Sequence, residues 1–96
     1  MSEVTDLKKK ILSKLDGMSN RHQLRLIHKI MDRLDVVEQC LKQNEPSLTR
    51  GGDASFFKNE IDFDNLPSES EGDEDHLKGL VNQAVTLLAD MEKQLS

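Results

Sequence analysis

Three histidines and one cysteine are the residues of this chain whose side chains could hold a metal ion or act as a nucleophile. His22 and His28 are six positions apart, so on a helix they lie on different faces, and Cys40 follows His28 by roughly three turns. His76 lies far from all of them along the chain. Because the ligands of a metal ion must converge on one point, this spacing predicts no metal site and no cofactor.

The sequence patterns of a nucleophilic cysteine, a phosphate-binding loop and a calcium-binding loop are also incomplete. Cys40 falls on the flank of an apolar helical stripe, where a cysteine usually behaves as a small hydrophobic residue. The glycine pair at 51–52 lacks the Lys-Ser/Thr sequence that completes a phosphate-binding loop. Asp62, Asp64 and Asn65 lack the downstream glutamate of a calcium loop. We therefore predict that the chain is not an enzyme.

The formal net charge is −5, but the two halves of the chain differ in sign. The first fifty residues contain ten Lys and Arg against seven Asp and Glu, whereas the rest contain three against eleven. An acidic chain is a poor candidate for binding phosphate backbones, which requires a surplus of cations. One alternative stays open, because Arg21, Arg25, Lys29 and Arg33 recur every four residues and would line one helical face of a nucleic-acid-binding module.

The composition favours a location inside the cell. Cys40 has no second cysteine with which to form an internal disulfide. The lysines at 8–10 are not followed by the apolar run of a secretion signal, and no apolar stretch reaches the ~20 residues of a membrane span. We expect the chain in the cytoplasm or nucleus, without a membrane partner.

Three amphipathic helices are predicted from the spacing of apolar residues, at about 3–16, 20–43 and 75–96. The first two would form an N-terminal helical hairpin within residues 1–43. Pro46 follows the second helix and prevents its continuation, since the residue before a proline is disfavoured in the α conformation.

The second and third predicted helices carry apolar stripes that are wider than the seam of a two-stranded coiled coil. A helical chain of this size with no disulfide or metal rarely gains more than ~3–5 kcal/mol of net stability. We therefore expect the stripes to contact other helical subunits or a second copy of the chain. The residues predicted to form this helical interface are Leu24, Ile27, Met31, Leu34, Leu41, Leu77, Val81, Leu88 and Met91.

The region 44–74 has no sustained periodicity and is predicted to be a long, acidic, flexible loop. It contains all three phenylalanines of the chain. Three interpretations stay open: these residues fold back and plug the helical bundle, they form a motif with acidic flanks that becomes ordered on a partner, or they belong to an unstructured spacer. The candidates for the loop contact are Phe56, Phe57, Ile61 and Phe63. Ser68 and Ser70, each with an acidic residue three positions on, are candidate phosphorylation sites.

These patterns predict an all-α protein, built as a three-helix bundle (a helical hairpin plus a C-terminal helix) or as a coiled-coil-like assembly with a long acidic loop. The predicted function is that of a small adaptor or subunit of a larger assembly, whose partners are other proteins or itself. Besides the nucleic-acid-binding module, the alternative is a protein regulator that inserts its acidic loop into the basic cleft of an enzyme.

Overall fold

The computed structural model of the chain describes residues 3–18, 20–43, 53–66 and 76–95. Within these ranges the regular structure is helical and contains no strand. The α-helices are α1 (Glu3–Lys14), α2 (Arg21–Gln43), α3 (Asp53–Glu60) and α4 (Leu77–Leu95). One 3-10 turn follows α1 at Leu15–Gly17, and another follows α3 at Phe63–Asn65.

The boundary between α1 and α2 is set by local hydrogen bonds. The N–H of Met18 donates to the carbonyl of Leu15 at 3.0 Å and closes the 3-10 turn after α1. Asn20 then caps α2, because its Oδ1 accepts a hydrogen bond from the N–H of Gln23 at 3.1 Å. Such a cap satisfies one of the amide groups that the first turn of a helix leaves without a partner. The two helices can therefore change direction within a few residues.

The core lies around α4, which packs against α1, α2 and α3. Apolar side chains from all four helices join in one buried cluster, with Ile11, Ile27, Leu34 and Leu88 among those fully removed from solvent. The radius of gyration of 13.4 Å is close to the ~13 Å expected of a compact domain of about 100 residues. The apolar stripes of the long helices are thus covered mainly by one another.

The segment 53–66 differs from the sequence-based expectation. It lies within the region predicted to be a loop without regular structure, yet it contains α3 and the second 3-10 turn, so the described residues form four α-helices where the sequence predicts three. Ala54, Phe57 and Ile61 are spaced at i, i+3 and i+7 and are all buried. A helix of eight residues gains little from helix propensity alone; it is stabilised because this short apolar stripe packs against α4 and α2.

Candidate functional site

The nine residues predicted to bind a partner along the helices lie mostly inside the chain's own core. Leu24 and Leu41 are partly buried and pack against the core cluster. The other seven are buried, namely Ile27, Met31, Leu34, Leu77, Val81, Leu88 and Met91. The structure therefore uses these stripes for the internal packing of α2 and α4, and a partner could reach the seven buried residues only if the helices separated. The sequence analysis expected the apolar stripes to be too large for the chain to bury by itself. It did not take into account α3 and the residues after it, whose apolar side chains pack in the same core cluster.

The four residues predicted for the loop contact separate into two groups. Phe57 and Ile61 belong to the buried core, and Phe63 is partly buried against it. Phe56, in contrast, has 50% of its surface exposed. The plug interpretation thus describes Phe57 and Ile61, whereas Phe56 is the residue that stays accessible to a partner. Ser68 and Ser70 lie outside the described residues.

Phe56 is held in a defined position although half of it faces solvent. Its ring meets the ring of Phe57 edge-on, with 5.4 Å between centroids and 70° between planes, an arrangement that favours aromatic pairs. Near the start of α3 the N–H of Ala54 donates to Oε1 of Glu92 in α4 at 3.4 Å. Just beyond the end of α3, the N–H of Asp62 donates to Oε1 of the buried Gln23 in α2 at 2.9 Å. Both ends of the helix that carries Phe56 are therefore tied to the core helices.

A shallow groove of about 410 Å³ lies between α2 and α3 and has Phe56 on its wall. Lys29, Asp32, Arg33 and Val36 line it from α2, and the largely buried Phe57 completes it. Val36 has 41% of its surface exposed. We refer to Lys29, Asp32, Arg33, Val36 and Phe56 as the α2–α3 surface. It combines two exposed apolar side chains with two cations and one carboxylate.

The basic row predicted on the second helix reaches this surface. Arg21, Arg25 and Lys29 are exposed on α2, and Arg33 is half-buried. Lys29 and Arg33 line the groove beside Phe56. The structure therefore brings together two features that the sequence analysis treated separately, namely the cationic face of α2 and one of the loop phenylalanines.

Sequence reasoning missed two members of this surface, the acidic Asp32 and the apolar Val36. Val36 lies seven residues after Lys29 and three after Arg33, so it continues the cationic face of α2 and not the buried stripe. A β-branched apolar residue on an otherwise charged helical face was the available signal.

A second groove, of about 490 Å³, lies between α1 and α4. Its lining is largely polar and includes the carboxylates of Glu3, Asp6 and Asp90 together with the ammonium group of Lys10. The remaining lining residues are Leu7, Asn82, Gln83, Thr86 and Leu87.

The histidines and the cysteine do not converge. His22 and His28 are exposed on α2, and the free Cys40 is only 1% exposed. In the part of the chain that the structure describes, no three His, Cys, Asp or Glu side chains form a group that could hold a metal ion. Within the same residues, no helix combines the length and the apolar character needed to cross a bilayer.

His76 has a packing role at the start of α4. Its carbonyl accepts the N–H of Leu80 at 3.0 Å, and its imidazole ring lies over Gly79. A Cβ atom added at Gly79 would meet two atoms of that ring at 3.1 Å. Because Gly79 has no side chain, the imidazole ring of His76 can pack against the first turn of α4.

Comparison of the chain with protein-family models, with curated proteins and with solved structures gives no match. The function of the α2–α3 surface must therefore be argued from its own geometry and chemistry.

Proposed function

We propose that the chain is a small, non-enzymatic helical adaptor or subunit that binds a partner protein through the α2–α3 surface. The observation that carries this proposal is the half-exposed ring of Phe56 on a helix whose two ends are tied to α2 and α4. Val36, the other exposed apolar side chain of this surface, lines the same groove. A cytoplasmic or nuclear location, expected from the sequence, is part of the proposal.

The energetics favour binding over folding as the reason for this arrangement. A phenylalanine with half of its surface in water leaves about 100 Å² of apolar area uncovered, which forgoes about 2.5 kcal/mol at ~25 cal/mol per Å². Folding gains nothing from that exposure. A partner that covers Phe56 recovers this free energy, and a rigidly held aromatic residue loses little conformational entropy on binding.

The size of the surface favours a reversible contact. Permanent complexes bury more than about 2,000 Å² in total, whereas transient ones bury less. Phe56 and Val36 form one small apolar patch, since most of the apolar stripe residues of α2 and α4 are already buried. The coiled-coil-like assembly predicted from the sequence would need these helices to give up their mutual packing. We therefore propose an adaptor that docks as a folded unit.

The nucleic-acid alternative retains one supporting observation, the exposure of Arg21, Arg25 and Lys29 along α2. The α2–α3 surface also contains the apolar side chains of Val36 and Phe56, however, and a phosphate backbone does not need them.

The enzyme-regulator alternative uses the acidic, phenylalanine-containing loop. Glu60, Asp62 and Asp64 of this loop are exposed, and its acidic residues within 67–75 lie outside the described residues.

Affinity capture with a matched pair of variants tests the proposal. The full chain and its Phe56→Ser and Leu12→Ser variants are used as bait in the same cell lysate. Leu12 on α1 is 48% exposed, nearly the same as Phe56, but it does not line the groove of the α2–α3 surface. We expect the partner bound by the unchanged chain to be recovered with Leu12→Ser and lost with Phe56→Ser, since removal of a central aromatic side chain typically weakens binding about thirtyfold or more.

Circular dichroism melts of both variants must show the helical content and cooperativity of the unchanged chain, because both side chains lie half in water. Equal recovery with Phe56→Ser and Leu12→Ser would contradict the proposed use of this surface.

A further inference from the structure

We infer that the partner presents a short acidic segment with one bulky apolar residue, which inserts between Phe56 and Val36 while its carboxylates face Lys29 and Arg33. This inference rests on the proposed function and adds the chemical nature of the partner. It follows from the charge of the surface, the size of the groove and the position of the apolar groups.

Charge complementarity indicates the sign of the charge on the partner's binding segment. The chain carries a net charge of −5, but the α2–α3 surface has two cations, Lys29 and Arg33, against the single carboxylate of Asp32. Arg21 and Arg25 extend this cationic face by two further helical turns. The row from Arg21 to Arg33 covers about 18 Å at the usual helical rise of 1.5 Å per residue. An acidic segment is therefore attracted to this face, whereas a basic segment is repelled from it.

The volume of the groove limits the size of the apolar residue that the partner can insert. Its volume of about 410 Å³ lies at the lower end of the range for ligand pockets in proteins. That space accommodates one leucine or phenylalanine side chain with its neighbouring backbone, but not the whole face of a long helix. Phe56 and Val36 provide the apolar contact, and the tied ends of α3 keep the groove formed before binding. The occupant is consequently a segment with a single apolar anchor.

The position of the apolar groups distinguishes such a segment from a nucleic acid. Phosphates would pair with cations along the whole row and leave Phe56 and Val36 uncovered. A polyanion would also meet the repulsion of the acidic half of the chain, and this repulsion grows with the number of its charges. A peptide with a few carboxylates around one apolar residue uses both parts of the surface.

Selection from a random peptide library displayed on phage tests the inference. The immobilised full chain serves as the target, and phage that also bind the Phe56→Ser variant are removed first. We expect the enriched peptides to contain a leucine or an aromatic residue flanked by aspartate or glutamate. Enriched peptides that are basic or uncharged around the apolar residue would overturn the inference, as would a failure to enrich any peptide that requires Phe56.

Charge reversal then identifies the cation involved. Binding of the best acidic peptide, measured by fluorescence anisotropy, should fall about tenfold with Lys29→Glu and stay within about twofold with Lys9→Glu, an exposed lysine on α1. A version of the peptide with lysine in place of its acidic residues should bind Lys29→Glu more tightly than the unchanged chain. If the two reversals have equal effects, the charge contacts are not at this surface and the inference fails.

A fluorescent single-stranded oligonucleotide and a duplex are measured in the same assay. Tighter binding of either one than of the acidic peptide, with a loss on Lys29→Glu, overturns the inference in favour of the nucleic-acid alternative. The two proposals fail separately. Lysate capture that does not depend on Phe56 contradicts the proposed function, whereas capture that depends on Phe56 together with selected peptides that are not acidic contradicts only the partner chemistry.

Discussion

Helix α2 takes part in two contacts of opposite character. Where it packs with α4 in the core, aliphatic side chains such as Leu34 and Leu88 are completely buried. Where it meets α3, one phenylalanine is buried and its neighbour in the sequence is half in water. Consecutive residues on a helix point about 100° apart, so this one step along α3 separates a buried side chain from one that is half in water. The burial of an apolar residue in this chain therefore depends on the helical face it occupies and not on the region of the sequence in which it lies.

Leu88→Asp is expected to have the largest effect, because it disrupts the packing of α2 against α4 in the core. Leu88 has no exposed surface, and an uncompensated carboxylate in an apolar interior costs several kcal/mol or more. We expect the variant to lose cooperative thermal unfolding and most of its helical circular dichroism at neutral pH. Leu12→Asp, at an exposed apolar position on α1, is the control and should unfold like the unchanged chain. A folded Leu88→Asp variant would show that the α2–α4 packing described here is wrong.

The two adjacent phenylalanines give the most direct contrast between the core and the α2–α3 surface. Phe57→Ala should lower the free energy of unfolding by about 3–5 kcal/mol, because it removes a buried ring and leaves a cavity. Phe56→Ala should lower it by less than about 1 kcal/mol, since the side chain is half in water and mainly loses its edge contact with the ring of Phe57. Urea denaturation of both variants measures the difference. Similar losses for the two substitutions would contradict the assignment of separate roles.

A smaller loss of stability is expected when the hydrogen bond between α2 and the end of α3 is removed. Gln23→Ala removes the acceptor of the Asp62 N–H and should cost about 1 kcal/mol, since Asp62 is exposed and water can replace part of the bond. The amide protons of α3 should exchange faster in this variant than those of α4, as measured by hydrogen–deuterium exchange. Gln83→Ala, at an exposed position on α4, is the control. Uniform exchange along the chain in Gln23→Ala would show that this bond does not hold α3.

The smallest effect concerns the first turn of α4. Alanine is favoured over glycine within a helix by about 0.8–1.0 kcal/mol, but a Cβ at Gly79 would crowd the ring of His76. Gly79→Ala should therefore stabilise the chain more in a His76→Ala background than in the unchanged chain. Urea denaturation of the four chains of this double-mutant cycle gives the coupling between the two sites. Zero coupling would mean that the ring moves away without cost.

The long helices could be read from the sequence because their apolar residues repeat over many turns. The predicted helices at about 3–16, 20–43 and 75–96 correspond to α1, α2 and α4. Helix α3 was not predicted because its short apolar stripe consists of Ala54 and Phe57, continued by Ile61 directly after its end. A short helix is stabilised by tertiary packing that a single sequence does not display.

The location of the candidate site was only partly predictable. Phe56 was a candidate and the cations at Lys29 and Arg33 were recognised, but nothing in the sequence indicated that they meet in one groove. Phe57 has the same residue type and nearly the same neighbours as Phe56, and only the orientation of α3 decides which ring is buried. The helical stripes were assigned to a partner for a related reason: periodicity shows that an apolar face must be covered, but not whether the cover comes from the same chain.

The central claim is that the chain covers its own helical stripes and leaves the α2–α3 surface for a partner. Urea unfolding of the full chain, followed by circular dichroism at protein concentrations about a hundredfold apart, tests it most directly. We predict a single cooperative transition with the same midpoint at both concentrations, because no second chain contributes to the core. A midpoint that falls on dilution, or a helical signal that is weak until another protein is added, would show that the stripes are covered by a different chain and would contradict the account.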